Sequence, residues 1–157
     1  MNLPTSGLVN SHCHLEYPLR GDLKNELSGF ADWARGMAAS KREEKTIREN
    51  IRSLAEGGTT IVADHVTPDH PLDYLADSPL THINFIEVIG AKLPPMQANG
   101  TLTPHAVYSV HPEVLKRLLD QDRILSIHFL ESADEREWWE RGTGPLLVFT
   151  GQMNYRP

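Results

Sequence analysis

Histidines and their neighbouring carboxylates are the side chains of this 157-residue sequence whose types and spacing could do chemistry. His12 and His14 stand two apart in a run with strand character, so both imidazoles point to one face while Cys13 points to the other. Two imidazoles on one face can bind one divalent cation, although an isolated pair at this spacing can also be accidental. A catalytic zinc ion needs a third protein ligand and an open position, and His128 is the natural third ligand. Zinc is favoured, although iron, nickel and manganese also accept nitrogen and oxygen ligands.

Two more residues are candidates for acid–base chemistry. Glu131 follows His128 by three residues and could carry protons between an activated water and a leaving nitrogen if burial raises its pKa. It could equally be a first-turn glutamate that stabilises a helix dipole, or an acid that orients a histidine. His105 follows Pro104 in a short, stiff segment that could aim a hydrogen-bond donor at substrate, or it could be an ordinary loop histidine.

The other ionisable residues near these positions have simpler expected roles. His65 is expected among the solvated polar residues of a turn-rich loop, and His111 is expected to precede or cap a helix. Asp64 and Glu87 could orient a ligand histidine or hydrogen-bond neighbouring loops.

The candidate residues lie at or just after the ends of short β-branched runs. Five runs predict strands, at residues 8–14, 59–65, 82–89, 101–108 and 124–130. Apolar periodicity predicts helices at residues 22–36, from a capping box at 40–43 to the glycines at 57–58, at 112–120 and at 132–142. The segment 90–100 contains two consecutive prolines and leaves no room for a helix.

The alternation of strands and helices predicts an α/β fold of parallel strands. His12 and His128 are 116 residues apart, which assigns about 29 residues to each of four β/α units, close to the roughly 31 of an eight-unit barrel. The two histidines are therefore expected at strands one and five. These strands lie opposite each other in such a barrel, so the side chains can meet across its interior.

Composition excludes several classes of protein. The sequence has 15 basic and 21 acidic residues, a formal charge of −6, and no cluster of basic residues, so we expect no binding of nucleic acid. No apolar run approaches the roughly 18 residues of a membrane-spanning helix, so we expect no membrane association. The single Cys13 rules out an intramolecular disulfide, and with no secretory leader pattern the expected location is the cytoplasm.

Four blocks, in order along the chain, resemble the amidohydrolase superfamily and within it the deaminase and chlorohydrolase-like branch. They are residues 8–16, 57–64, 104–113 and 126–132. The resemblance implies a partial (β/α)8 barrel of the TIM type, with about five parallel strands in a single domain over residues 1–157. It also implies that His12, His14 and His128 bind a divalent metal, that Glu131 is the proton shuttle, and that His105 contacts the substrate or its leaving group.

The implied reaction is metal-dependent hydrolysis of a C–N bond, in which activated water adds to an aminated ring carbon of a small heterocyclic substrate and ammonia leaves. The family also uses a histidine from strand six and an aspartate from strand eight, and the matching blocks stop before both. We therefore expect these residues alone to have little or no activity, and a non-catalytic metal-binding or assembly module is the alternative. The open strand edges predict a homo-oligomer or association with the missing C-terminal half.

Overall fold

In the part of the chain that the structure describes, four parallel strands form one sheet in the order β1-β2-β3-β4. The structure is a computed structural model, and it describes residues 6–17, 29–39, 42–70, 72–97 and 99–147. The strands are β1 (Leu8–Cys13), β2 (Thr59–Val66), β3 (Thr81–Val88) and β4 (Thr101–Pro104). The helices are α1 (Phe30–Ala38), α2 (Glu44–Glu56), α3 (Pro112–Leu119) and α4 (Ala133–Arg141), with a short 3-10 helix at Asp73–Asp77.

One face of the sheet packs against helices through two clusters of buried apolar side chains. Ile47 and Ile51 of α2 contact Val62 of β2, and this cluster also contains Leu15 and Leu80. A second cluster joins α3 to β3 and β4, and its buried members are Val66, Ile86, Val88, Leu102, Val110, Val114 and Leu118. Burial of these side chains removes apolar surface from water and stabilises the packing of the helices on the sheet. Because the strands pair in parallel, their carboxyl ends lie at one end of the sheet.

The fifth predicted strand is reduced to a single bridge. Ala106 and His128 form an isolated parallel bridge, in which the His128 N–H donates to the His105 carbonyl at 2.9 Å. Further back, the Ser126 N–H donates to the Thr103 side-chain oxygen at 3.0 Å instead of to a backbone carbonyl. The Thr103 hydroxyl therefore takes the place of a ladder bond, and residues 124–130 follow β4 without forming a regular strand. The predicted fold class, a partial barrel of parallel strands with intervening helices, is confirmed.

One end of each of the first two helices differs from the sequence predictions. The first part of the helix predicted at 22–36 lies outside the described residues, and α1 continues through Gly36 to Ala38, so the predicted end was wrong. α2 starts at Glu44 with Glu43 as its N-cap, and that cap makes no side-chain hydrogen bond. The predicted capping box, part of which lies outside the described residues, therefore does not mark the start of α2.

The two later helices follow their predicted caps. The His111 side chain accepts a hydrogen bond from the Glu113 N–H at the start of α3, and Ser132 accepts one from the Glu135 N–H at the start of α4. Gly142 ends α4 in the left-handed conformation, with φ of 62°, which glycine adopts without steric cost.

The connection between β3 and β4 contains no helix in its described residues, as predicted. None of the described helices has the length and apolar character needed to cross a membrane.

Candidate active site

Histidines from separate strands meet at the carboxyl end of the sheet. His12 lies in β1 and His14 directly after it, while His65 is near the end of β2. His105 follows β4, and His128 lies at the bridge beyond it. Ring nitrogens of His12, His14, His65 and His128 all lie within 4.8 Å of one another. The prediction that residues from the first and fifth runs meet across the barrel interior is correct in its geometry.

Three Nε2 atoms converge on one point. The His128 Nε2 lies 2.9 Å from the His12 Nε2 and 3.2 Å from the His14 Nε2. Nε2 of an imidazole has either one proton or one lone pair, so hydrogen bonding cannot satisfy two such contacts at once. Ligands about 2.0 to 2.1 Å from a tetrahedral zinc ion would stand about 3.3 to 3.4 Å apart, close to the observed spacing. The donor set therefore fits a divalent cation bound by three imidazoles.

Burial keeps these imidazoles neutral. It lowers the pKa of His12 to about 4, with further lowering by His65 and His128. It also lowers the pKa of His14 to about 3, where the neighbouring histidines add to the effect. The neutral ring has the lone pair that a metal requires, so at neutral pH both residues are in the binding form.

The ring of His128 is oriented by its other nitrogen. The Nδ1 of His128 lies 3.0 Å from the His105 carbonyl oxygen and 3.3 Å from a carboxylate oxygen of Glu87. A carbonyl oxygen only accepts, so Nδ1 donates and the Nε2 lone pair is directed at His12 and His14. The Nδ1 of His14, in contrast, is buried and has no hydrogen-bond partner among the described residues.

His65 was assigned to a solvated loop from the sequence, and that expectation is wrong. The side chain is fully buried in β2, with Nδ1 3.2 Å from Glu87 Oε1 and Nε2 2.9 Å from the Ser126 hydroxyl. Its ring stacks on His12 with a centroid distance of 4.0 Å. Burial lowers the pKa of His65 to about 4, and His128 contributes. Its place at the carboxyl end of a predicted strand was the signal that could have revealed it.

Glu87 is the carboxylate that joins these histidines. It is buried near the end of β3, and its Oε1 contacts Nδ1 of both His65 and His128. Burial raises the pKa of the Glu87 carboxyl to about 8, while His128 opposes the shift. Of the two roles that the sequence left open for Glu87, the contacts match the orienting of a histidine.

His105 is close to this cluster. Its Nδ1 lies 2.7 Å from the Ser109 hydroxyl, and its ring centroid is 5.0 Å from that of His128. Burial lowers the pKa of His105 to about 3, with contributions from His128 and His65.

Glu131 lies where the chain turns from His128 into α4. Leu130 has a positive φ of 54°, and the Glu131 N–H donates to Glu135 Oε2 at 2.9 Å. Burial raises the pKa of the Glu131 carboxyl, while His128 opposes the shift and Glu135 adds to it. The Glu131 carboxyl therefore interacts electrostatically with His128, the histidine whose Nε2 contacts those of His12 and His14.

Side chains from neighbouring elements form hydrogen bonds with the backbone of the loop after β1, residues 14–17. Asp64 accepts a hydrogen bond from the Leu15 N–H at 2.9 Å, which matches the loop-bonding role left open for it. Asn50 of α2 donates to the carbonyls of Leu15 and Tyr17 at 2.9 and 2.8 Å. These bonds hold the backbone beside His14.

The sequence matches the family model described as Amidohydrolase family over residues 5–148. The chain belongs to the amidohydrolase family. It is 26% identical to the aminodeoxyfutalosine deaminase of a Nitratiruptor species, in a match that covers 91% of this chain and 42% of that protein. It is also 26% identical to the adenosine deaminase of Helicobacter pylori, over 87% of this chain and 40% of that protein.

Two solved structures have the same fold. The crystal structure of Helicobacter pylori aminofutalosine deaminase in complex with methylthio-coformycin is similar with a TM-score of 0.72 at 22% identity, over 93% of this chain and 42% of that one. A second crystal structure of that enzyme gives a TM-score of 0.68 at 22% identity, over 94% of this chain and 41% of that one. This amidohydrolase chain thus spans well under half the length of the relatives that it matches.

Proposed function

We propose that this chain carries the histidine cluster and proton-transfer residues of a hydrolase that removes an amino group from a heterocycle. The observation that carries the proposal is the convergence of the Nε2 atoms of His12, His14 and His128 in a member of the amidohydrolase family. The deaminases among its relatives support C–N hydrolysis as the reaction.

In this proposal His12, His14 and His128 hold one divalent cation, with zinc favoured and iron, nickel or manganese as alternatives. When bound, the cation supplies a Lewis acid that makes water a nucleophile near neutral pH. The histidines fix its position, because the His105 carbonyl orients His128, and hydrogen bonds to the loop after β1 support His14.

Glu131 moves the proton. Its raised pKa suits a carboxyl that takes a proton from the attacking water and gives it to the leaving nitrogen. Water oxygen forms a bond to the aminated ring carbon, the C–N bond breaks, and ammonia leaves. In this proposal His105 contacts the substrate or its leaving group, and its Nδ1 is held 2.7 Å from the Ser109 hydroxyl oxygen.

Residues 1–157 form, in this proposal, one partial-barrel domain of a cytoplasmic protein with a small heterocyclic substrate. The remaining part of the site comes from a C-terminal half of the barrel or from a second copy of the chain. The reason is that the chain covers 42% and 40% of its relatives, and β1 pairs only with β2 among the described residues. Activity of the isolated chain is therefore very slow or absent.

Ammonia release tests the proposal. The zinc-loaded chain is assayed with adenosine and aminodeoxyfutalosine, because the names of the relatives identify these two compounds as test substrates. Any slow release should fall further, by about 10² to 10⁴-fold or to the detection limit, in Glu131→Gln with zinc content unchanged. Glu140→Gln, an exposed glutamate of α4, is the matched control and should leave release unchanged. Equal release by the wild type and Glu131→Gln would contradict the role of Glu131.

The open edge and partial length favour one alternative, a metal-binding or assembly module without catalysis. Stoichiometric zinc binding with no ammonia release from either substrate, even at concentrations at which the chain self-associates and a second copy could complete the site, would support the module. Rapid turnover by the isolated chain would instead show that a residue within these 157 positions replaces the expected missing base.

A further inference from the structure

A buried polar network lies behind His128, and no step of the proposed reaction uses it. Glu87 is 3% exposed, and its Oε1 lies 3.3 Å from the His128 Nδ1 and 3.2 Å from the His65 Nδ1. His65 in turn contacts the Ser126 hydroxyl through Nε2 at 2.9 Å. Ser126 is itself fixed to β4, because its N–H donates to the Thr103 side-chain oxygen. The network therefore joins β2, β3 and the segment that carries His128.

The hydrogen-bond partners determine which ring nitrogen of each histidine carries the proton. The His105 carbonyl can only accept, so the His128 Nδ1 carries a proton and its Nε2 presents a lone pair to the centre. If the Ser126 hydroxyl donates to the His65 Nε2, the His65 Nδ1 carries the proton and donates to Glu87. The Glu87 Oε1 then receives the His65 N–H and lies 3.3 Å from the His128 Nδ1, whose N–H donates to the His105 carbonyl. Carboxylates behind metal-binding histidines fix the ring tautomer and orientation in this way.

His65 is not a metal ligand in this arrangement. Both of its ring nitrogens have partners, Glu87 on one side and Ser126 on the other. Its ring also lies nearly face to face with that of His12, at 28° between the planes. Its burial and contacts are those of a support for the ligand set.

We propose that Glu87 is a positioning residue that holds the His128 ring with Nε2 directed at the metal centre, and that His65 and Ser126 hold Glu87. This inference rests on the proposed function, in which His128 is a ligand. It gives β2 and β3, which carry His65 and Glu87, a supporting role in a site whose proposed ligands lie in the first and fifth predicted strands.

Two variants of the full chain test the inference. In Glu87→Gln the carboxyl group is replaced by an amide of the same size, and in Ser126→Ala the hydroxyl that holds His65 is removed. The matched control is Glu135→Gln, which alters a glutamate of α4 that is 1% exposed and contacts the Glu131 backbone instead of a histidine. Circular dichroism and thermal unfolding without metal establish that each variant is folded.

The first readout is the zinc dissociation constant, measured by competition with a chelator. Loss of a carboxylate behind a ligand histidine typically weakens metal binding about 10 to 100-fold, and we expect this for Glu87→Gln. Ser126→Ala should weaken binding less, and Glu135→Gln should not change it. Tighter zinc binding by Ser126→Ala would show that the released His65 is a ligand, which would overturn the inference.

The second readout needs no metal. Long-range ¹H–¹⁵N spectra distinguish imidazoles protonated at Nδ1 from those protonated at Nε2, and His128→Asn identifies the His128 signals. The wild type and Glu135→Gln should show the Nδ1–H form of His128, and Glu87→Gln should show an increased Nε2–H fraction. If neither zinc affinity nor this fraction changes in Glu87→Gln, the inference is wrong. The proposed metal site is tested separately: it is wrong if removal of His12 and His14 leaves zinc binding unchanged. In that case the metal-free spectra still show whether Glu87 orients the His128 ring.

Discussion

His128 is the residue on which the candidate site depends, because its two ring nitrogens serve different partners. Nε2 faces His12 and His14, and Nδ1 faces the His105 carbonyl and Glu87. A ring held on both sides loses little further freedom when it binds an ion. The site is therefore largely organised before any ligand arrives, which lowers the entropic cost of binding.

Removal of two histidines tests the metal site at this scale. The double variant His12→Ala/His14→Ala should lose stoichiometric zinc binding, because a single remaining imidazole cannot hold the ion. Zinc at about 100 times its dissociation constant stabilises a folded protein by about 2.7 kcal/mol, so the metal should raise the unfolding midpoint of the wild type and not of the variant. The measurements are metal analysis and thermal unfolding with and without zinc.

A matched control removes two histidines outside the cluster. His70→Ala/His82→Ala has the same loss of imidazoles, and neither residue belongs to the groups of converging ring nitrogens among the described residues. Unchanged zinc stoichiometry in the His12/His14 variant would reject the ligand assignment.

At the scale of elements, α2 and β2 together hold the loop that follows β1. Asn50 is buried on the inner side of α2 and donates to two backbone carbonyls of the loop, while Asp64 of β2 accepts from its Leu15 N–H. Buried backbone groups need partners, so these side chains replace the bonds that a longer strand would have made. The loop begins at His14, and its position therefore depends on a helix that contributes no ligand.

Asn50→Ala should destabilise the chain by about 1 to 3 kcal/mol, since the buried Leu15 carbonyl and the partly buried Tyr17 carbonyl lose their donor. Urea denaturation measures the change, and Ser53→Ala on the exposed side of the same helix is the control, expected to change stability by less than about 0.5 kcal/mol. A loss below about 0.5 kcal/mol in Asn50→Ala would mean that water or another group satisfies the carbonyls.

The whole molecule has an open sheet with apolar residues at its margins. Among the described residues β1 pairs only with β2, and Leu8 and Val9 are each 61% exposed. Ile124 and Phe129 lie exposed on the segment beyond β4. Unpaired backbone groups beside apolar side chains promote association, and burial of such surface contributes about 25 cal/mol per Å². A second copy or the C-terminal half of a barrel would cover these margins.

Sedimentation over a range of concentrations should show self-association of the chain. A charged residue on an edge strand opposes pairing, so Val9→Lys should shift the equilibrium towards monomer. Met96→Lys is the control, because this exposed methionine lies in the loop between β3 and β4. A wild-type chain that stays monomeric at tens of micromolar would mean that its edges are covered within the chain, and equal effects of the two variants would remove β1 from the interface.

The sequence by itself determined the features that depend on local geometry. Side chains two apart on a strand share a face, so His12 and His14 could be assigned to one side from spacing alone. The caps at His111 and Ser132 are also local, because each involves a side chain and a backbone N–H two or three residues away. The family and the partial barrel followed from ordered blocks whose strands alternate with helices, and the family match and the fold confirm both.

Only the tertiary structure decided which polar residues support these histidines. His65 and Glu87 come from different strands, and their contact with Ser126 and His128 depends on how the sheet brings neighbouring strand ends together. The same holds for residues 124–130, whose strand pattern yielded one bridge because the Thr103 hydroxyl bonds the Ser126 N–H. Strand propensity describes one segment at a time, whereas burial and hydrogen-bond partners depend on segments distant in sequence.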